Sequence, residues 1–171
     1  MTVSGVRNIR RANICAGSDV RYGWDNYDRQ PDNNLVKKLD IDRPFAIDDD
    51  TYDHLVIEHG LEHTLLNQLD VMKEIHRVVK HQGKVEVELP LFSPMVCHRS
   101  SYHPSTYFNV ITDKKRDVNK NYTDNWFKQI SFEYAGKRNW KMMLFWMKTR
   151  FINWVNSFRY DSGRWVLEVR K

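Results

Sequence analysis

Residues 53–90, DHLVIEHGLEHTLLNQLDVMKEIHRVVKHQGKVEVELP, read as strand, turn, helix, turn, strand. His54-Leu55-Val56-Ile57 is a short run of the kind a buried strand requires. From Thr64 the period changes to three and four. Leu65, Leu69, Met72, Ile75, His76 and Val79 then form one stripe on a helix of about four turns. Gln82-Gly83 is expected to stop that helix, because glycine takes positive φ without cost. Val85, Val87 and Leu89 next alternate with Lys84, Glu86 and Glu88, a strand with one polar face. Strand, helix and strand make a βαβ unit, whose crossover is right-handed in nearly all cases. Ligands of such sheets bind beyond the carboxyl ends of the strands. That directs attention to Glu58, His59 and Gly60 after the first strand and to Pro90, Leu91 and Phe92 after the second.

Upstream, Met1 to Arg10 is a polar lead-in. Three short strands follow. Arg11 to Cys15 ends in the turn residues Ala16 to Asp19, and Gly23 to Asp28 and Leu35 to Asp40 each close on an acid. Between Ser18 and Gly23 there is no room for a helix, although parallel strands usually need a crossover of a dozen residues or more. One sheet face is therefore left open or covered by the C-terminal segment. Downstream, Asp113 to Asn125 is a charged linker and Trp126 to Tyr134 a strand. Residues 140–158 carry Trp140, Leu144, Met147, Phe151, Trp154, Val155 and Phe158 at helical spacing, with further apolar residues on other faces. Such a helix needs cover. It packs on the sheet, walls an acceptor site, or meets a dimer partner or a membrane surface. Arg164 to Arg170 alternates and is the last strand.

A chain of 171 residues with 41% hydrophobic and 29% charged residues suits one α/β domain over residues 1–171. A net charge of +5 and a pI near 9.2 permit an acidic partner without demanding one, since the densest basic run is Lys114-Lys115-Arg116. No firm nucleic-acid signal follows. Cys15 and Cys97 make no disulfide framework, which fits a reducing, cytoplasmic setting. The start of the chain lacks the apolar core of a signal peptide, and no apolar stretch reaches the roughly 20 residues of a membrane span.

The ordered set Asn13 to Ser18, Gly23-Trp24, Asn26, Asp28, Asp40, Pro44-Phe45, Asp53, Leu61-Glu62-His63, Glu74 to Val78, Gly83 and Leu89-Pro90 resembles the compact class I S-adenosylmethionine-dependent methyltransferases. The likeness covers about half the chain, from Asn13 to Pro90, which would be the donor-binding half (13–90), with 91–171 on the acceptor side. It implies a Rossmann-like, mostly parallel sheet with an antiparallel C-terminal strand at its edge. It also implies S-adenosyl-L-methionine as cofactor. Cys15, Ala16 and Gly17 would approach the methionine half, and Asp28 would accept from the ribose hydroxyls. Asp40 would read the adenine amine beside Ile41, and Glu58-His59 would lie at the strand end. Cys15 departs from the family, which has glycine there, and brings a Cβ and a sulfur where backbone should come close. His103, ahead of Tyr107-Phe108, resembles an element after the fifth strand and is a candidate general base, as is His59. The acceptor implied is a hydroxyl on a small molecule or glycan.

Two other readings stand beside this one. Cys15 and the short first crossover could mark a decayed donor site on a binding scaffold. His59-Gly60-Leu61-Glu62-His63 spells H-x-x-E-H, which would suit a zinc hydrolase if both imidazoles faced one metal. In the methyltransferase setting no metal is expected, and Glu62 and His63 would instead cap the helix start. A nucleic-acid methyltransferase is also open on charge alone, but the sequence holds no catalytic Asn/Asp-Pro-Pro-Tyr and no recognisable RNA- or DNA-binding module.

Overall fold

The βαβ unit sits at the centre of a seven-stranded sheet. The computed structural model describes residues 8–65, 68–91, 126–138 and 160–171. Its strands are β1 (Arg11–Ile14), β2 (Asp25–Asp28), β3 (Val36–Lys38), β4 (Tyr52–Glu58), β5 (Val79–Pro90), β6 (Phe127–Arg138) and β7 (Tyr160–Val169). Helix α1 (Gln68–Val78) joins β4 to β5. The spatial order is β3-β2-β1-β4-β5-β7-β6. The first five strands run parallel, and β7 is antiparallel to both β5 and β6.

Register explains the core. Two rows cross the sheet on one face, Ala12–Leu55–Val85–Leu167 and Ile14–Ile57–Val87–Trp165, and every member is fully buried. Val71, Met72, Ile75 and Val78 of α1 join the same cluster, so the helix lies over that face. The alternate positions give the other face its rows: Arg11–His54–Lys84–Glu168, then Asn13–Val56–Glu86–Val166. Parallel sheets usually bury apolar side chains on both faces, so this polar face is a departure. Its polar groups pair with one another, His54 to Glu86 at 2.9 Å and Lys84 to Glu86 at 2.7 Å.

The first crossover contains no helix, as its length requires. Asn13 and Asn26, aligned in register on β1 and β2 and both buried, hold it instead. Asn13 Nδ2 donates to the Asp19 carbonyl and to Asn26 Oδ1. Asn26 Oδ1 accepts the Arg21 N–H, and its Nδ2 donates to the carbonyls of Arg21 and Trp24. Two amides thus satisfy backbone groups that a crossover helix would have paired internally. Trp24 then lies edge-on to His54 with the guanidinium of Arg21 near its ring.

Four sequence expectations need correction. Helix α1 starts at Gln68 rather than Thr64, because the carboxylate of Asp42 takes the Thr64 hydroxyl and the Leu65 N–H and Thr64 is extended (ψ 141°). Leu65 is consequently exposed, and Val71 and Val78 complete the buried stripe. Gln82-Gly83 does not stop the helix; it lies inside β5, where the register against β4 jumps between Tyr52 and His54. The positive φ falls on Gln82, while Gly83 is needed because a Cβ there would meet Val79 Cγ1 at 2.5 Å and the Lys80 carbonyl at 2.8 Å. Leu61–His63 is a separate 3-10 turn, and neither oxygen of Glu62 has a hydrogen-bond partner, so Glu62 does not cap α1. Finally, β7 is not the edge strand: β6 lies outside it. The candidate base His103, the charged linker and the 140–158 segment fall outside the described residues. Among the described residues no helix is long and apolar enough to cross a membrane.

Between β2 and β4, Tyr52 Oη donates to Asp25 Oδ2 at 3.0 Å and accepts from the buried Tyr27 hydroxyl at 2.7 Å. Tyr52→Phe should cost about 1–2 kcal/mol, because it strands the Tyr27 hydroxyl as well as removing a donor to Asp25. Urea unfolding measures it; an unchanged midpoint would mean water replaces both contacts.

Candidate functional site

A cavity of about 330 Å³ opens at the carboxyl ends of β1, β2 and β4, lined by Cys15, Gly17, Asp28, Arg29, Leu39, Ile41, Asp42, His59, Gly60 and His63. A second hollow, of about 440 Å³, lies at the opposite ends of the strands, bordered by Arg11, Asp53, His54 and residues 80–84. It is the larger, but its Lys80 and Lys84 are spent on Asp53 and Glu86, and parallel sheets bind ligands at the other end.

The first wall is the turn after β1. Cys15 (φ 60°) and Gly17 (φ 50°) are both left-handed, and this reverses the chain sharply. The Ala16 N–H donates to the Tyr27 carbonyl and the Gly17 N–H to Asp28 Oδ2, at 2.9 Å each. Asp28 Oδ1 accepts the Gln30 N–H at 3.0 Å. Each oxygen of Asp28 therefore has a backbone donor that fixes it and a lone pair remaining. An added Cβ at Gly17 would meet nothing within 4 Å, so the space beside that backbone is open.

The second wall is the end of β4. His59 is also left-handed (φ 51°), and its N–H donates to the Glu88 carbonyl at 3.0 Å. Its ring spans two carboxylates, Nδ1 3.4 Å from Glu62 and Nε2 3.5 Å from Glu88, separations of ion pairs more than of good hydrogen bonds. Glu62 is buried and neither of its oxygens has a hydrogen-bond partner. Glu62 first, then Glu88, push the His59 pKa up to about 10. His59 is thus an imidazolium at neutral pH and cannot take a proton there. Glu88 also accepts from Ser162 Oγ at 2.6 Å and from Arg164 Nη2 at 2.7 Å, and with His59 these hold its pKa down at about 2.

Gly60 closes the gap between the two walls. A Cβ there would stand 2.6 Å from Cys15 Sγ, so the thiol occupies the room the missing side chain leaves. Burial first, then the charges of Asp28 and Glu62, raise the Cys15 thiol to about 12, which rules it out as a thiolate nucleophile near neutrality.

The structure brings Cys15, Gly17, Asp28, Ile41 and His59 together on one cavity. Ala16 lies behind the turn, buried. Glu58 turns to the polar face, paired with Arg21 at 2.9 Å and Arg164 at 3.3 Å. Asp40 is bound by Arg29 Nε and Nη2 at 3.0 and 2.6 Å. Gly60, singled out after the first strand of the βαβ unit, lines the cavity too, whereas Arg29, Leu39, Asp42 and His63 are lining residues that the sequence reading did not place there. For Arg29, Leu39 and Asp42, positions next to Asp28, Asp40 and Ile41 were the available signal. The H-x-x-E-H spelling does not make a zinc site: His59 stands outside the 3-10 turn with both ring nitrogens facing carboxylates. Among the described residues no group of three or more potential ligands could hold a metal ion.

Stability should vary with pH through these same groups. Glu88, with a folded pKa below its unfolded value, stabilises the fold above about pH 4.5, and that support is lost as pH falls towards 2. His59, with a raised pKa, supports the fold fully below about pH 6.5 and loses this as pH rises towards 10. Denaturant midpoints should therefore be highest between about pH 4.5 and 6.5. Glu88→Gln should reduce the acid limb by on the order of 3 kcal/mol, leaving the part due to Asp25, Asp40, Glu74 and Glu86, whose carboxyls are also held below their usual range. An acid limb unchanged in that variant would assign it to other carboxylates.

No family model matches the sequence, and none of the curated proteins matches it. Solved structures do match in fold. One is a chain of the complex between the Haloferax volcanii Trm112 methyltransferase activator and a candidate methyltransferase (TM-score 0.61, 12% identity, 95% of this chain and 83% of that one). Another is the YcgJ protein of Bacillus subtilis (0.60, 10% identity, 96% and 92%). A third is a candidate methyltransferase of Bacillus halodurans C-125 (0.58, 10% identity, 94% and 91%).

Proposed function

From a chain with the class I methyltransferase fold, we propose an S-adenosylmethionine-dependent methyltransferase that acts on a hydroxyl of a small molecule or glycan. The observation that carries this is Asp28, fixed by the Gly17 and Gln30 N–H groups at the mouth of the cavity with acceptor capacity to spare. The residues present fit the donor. Open space beside Gly17 admits the methionine half, Asp28 suits a vicinal diol, and Leu39 and Ile41 offer an apolar wall for the base.

Bound there, the donor supplies a methyl group on a sulfonium, already activated for in-line displacement. The chain's own contribution is then mainly orientation, which can supply much of the rate. Asp28 sets the ribose, and the left-handed Cys15–Gly17 turn lets backbone approach. His59 is held as a cation and orients the strand end without serving as a base. Proton removal from the acceptor falls to another group, for which the sequence offers His103.

A scaffold without turnover is the second reading, favoured by Cys15, a side chain where the family has glycine. Gly60 answers that objection in part, since it takes up the thiol. Calorimetric titration with S-adenosylhomocysteine tests the donor site. Micromolar binding supports it, and no heat with folded protein would move the assignment to the scaffold.

A further inference from the structure

We propose that the guanidinium of Arg29 is the platform on which this chain receives the donor's nucleobase, so that the base is recognised by stacking more than by its exocyclic amine. The inference rests on the donor-site reading above. Arg29 directly follows Asp28 and lines the cavity together with Leu39 and Ile41. Its Nε and Nη2 both donate to Asp40 Oδ1, and Nη2 also reaches Asp42 Oδ2. Hydrogen bonds to a guanidinium lie in its plane. These contacts therefore clamp its edge and leave its faces to a ligand.

The clamp is itself anchored. Asp42 Oδ1 takes the Thr64 hydroxyl at 2.5 Å and the Leu65 N–H at 2.8 Å, and Asp40 Oδ1 takes the Asp42 N–H at 3.1 Å. The plane of Arg29 is set by three segments of chain and does not swing freely. A phosphate or carboxylate would need the in-plane N–H groups, of which Nε and Nη2 are already engaged. A flat aromatic ring needs only a face and an apolar wall opposite, and a guanidinium face over a π system is favourable. Asp40 Oδ1 receives three donors, two of them from Arg29, and its Oδ2 lies 3.7 Å from Arg43 Nε. Asp40 is not part of the cavity lining, so this carboxylate holds Arg29 from outside the cavity and is poorly placed to discriminate an exocyclic amine.

The test is calorimetry with three ligands. These are S-adenosylhomocysteine, S-inosylhomocysteine with a carbonyl oxygen in place of the amine, and S-ribosylhomocysteine with no base. The wild-type chain should bind the first two within about threefold of one another. Arg29→Lys keeps the charge but not the plane, and should weaken both base-bearing ligands about 5- to 10-fold while leaving the base-free one within about twofold. Equal weakening of all three would overturn the inference in favour of a rim-holding role. A preference above about 30-fold for the adenosyl over the inosyl ligand would overturn it in favour of hydrogen-bond reading of the amine. Both outcomes leave the donor site standing. Failure of the wild-type chain to bind S-adenosylhomocysteine would instead sink the donor site and the platform together. Thermal unfolding of Arg29→Lys, expected within a few degrees of wild type, confirms that a folded chain is being compared.

Discussion

Asp28→Ala should lower the affinity for S-adenosylhomocysteine by about 100-fold or more, since each hydrogen bond from a hydroxyl to a carboxylate is worth roughly 1.5–3 kcal/mol and a ribose makes two. The expectation is large because the geometry is prepared. Gly17 and Gln30 hold the two carboxylate oxygens before any ligand arrives, so little ordering cost falls on binding. Stability should change far less. Asp28 lies half-buried at the rim of the cavity, where water can serve the two backbone N–H groups once the carboxylate is gone. Asp28→Asn should fall between, because an amide keeps one acceptor oxygen. Calorimetry gives the affinities and urea unfolding the stabilities. Wild-type affinity in Asp28→Ala would show that the cavity does not take a ribose there, whatever else it holds.

Gly60→Ala should destabilise the fold by about 2–3 kcal/mol, the cost of forcing a methyl into a filled site. The new Cβ would stand 2.6 Å from Cys15 Sγ, 2.9 Å from Cys15 Cβ and 3.1 Å from Ile57 Cγ1. The sulfur has little freedom to retreat, being attached to a left-handed residue between β1 and a turn pinned to β2. Cys15→Gly in the same chain removes the two closest atoms and should return most of the loss. The coupling between the two sites is then about 2 kcal/mol. By itself Cys15→Gly relieves a residue at φ 60° but loses a partly buried thiol, so a net change within about 1 kcal/mol is expected. Strict additivity in guanidinium unfolding would mean that Gly60 meets something other than Cys15. The same pair bears on activity: if the thiol impairs donor binding, Cys15→Gly will tighten it, and unchanged affinity would show that Gly60 already accommodates the sulfur.

The central βαβ unit was legible because its signals are local. Leu55, Ile57, Val85 and Val87 sit in runs that alternate or cluster over a few residues, and all four are fully buried. The acids that close β2 and precede the Asp42 turn were legible from their place after short strands. What escaped the sequence depends on contacts between distant residues. Asp42 reaches forward to Thr64 and Leu65 and so decides where α1 cannot begin. Cys15 and Gly60 share one space although β2, β3 and β4 lie between them in sequence. No period or composition reports that. Nothing local marks Arg29, since the contacts that fix it come from two carboxylates brought beside it by the turn after β3.

The order of the strands has a consequence for the chain as it is made. β1 to β5 are complete by Pro90, yet the outer edge of β5 finds its partner only in β7, which begins at Tyr160. The ion pair that links the two strands, Arg164 to Glu88, closes a separation of 76 residues. During synthesis, at roughly 5–20 residues per second, the nascent chain presents that open edge for several seconds. Val85, Val87 and Leu89 lie along it, the kind of strand that templates pairing with another molecule. Lys84, Glu86 and Glu88 alternate with them and place charge on every second position, so a stray strand meets charged side chains on one face before β7 is there to exclude it.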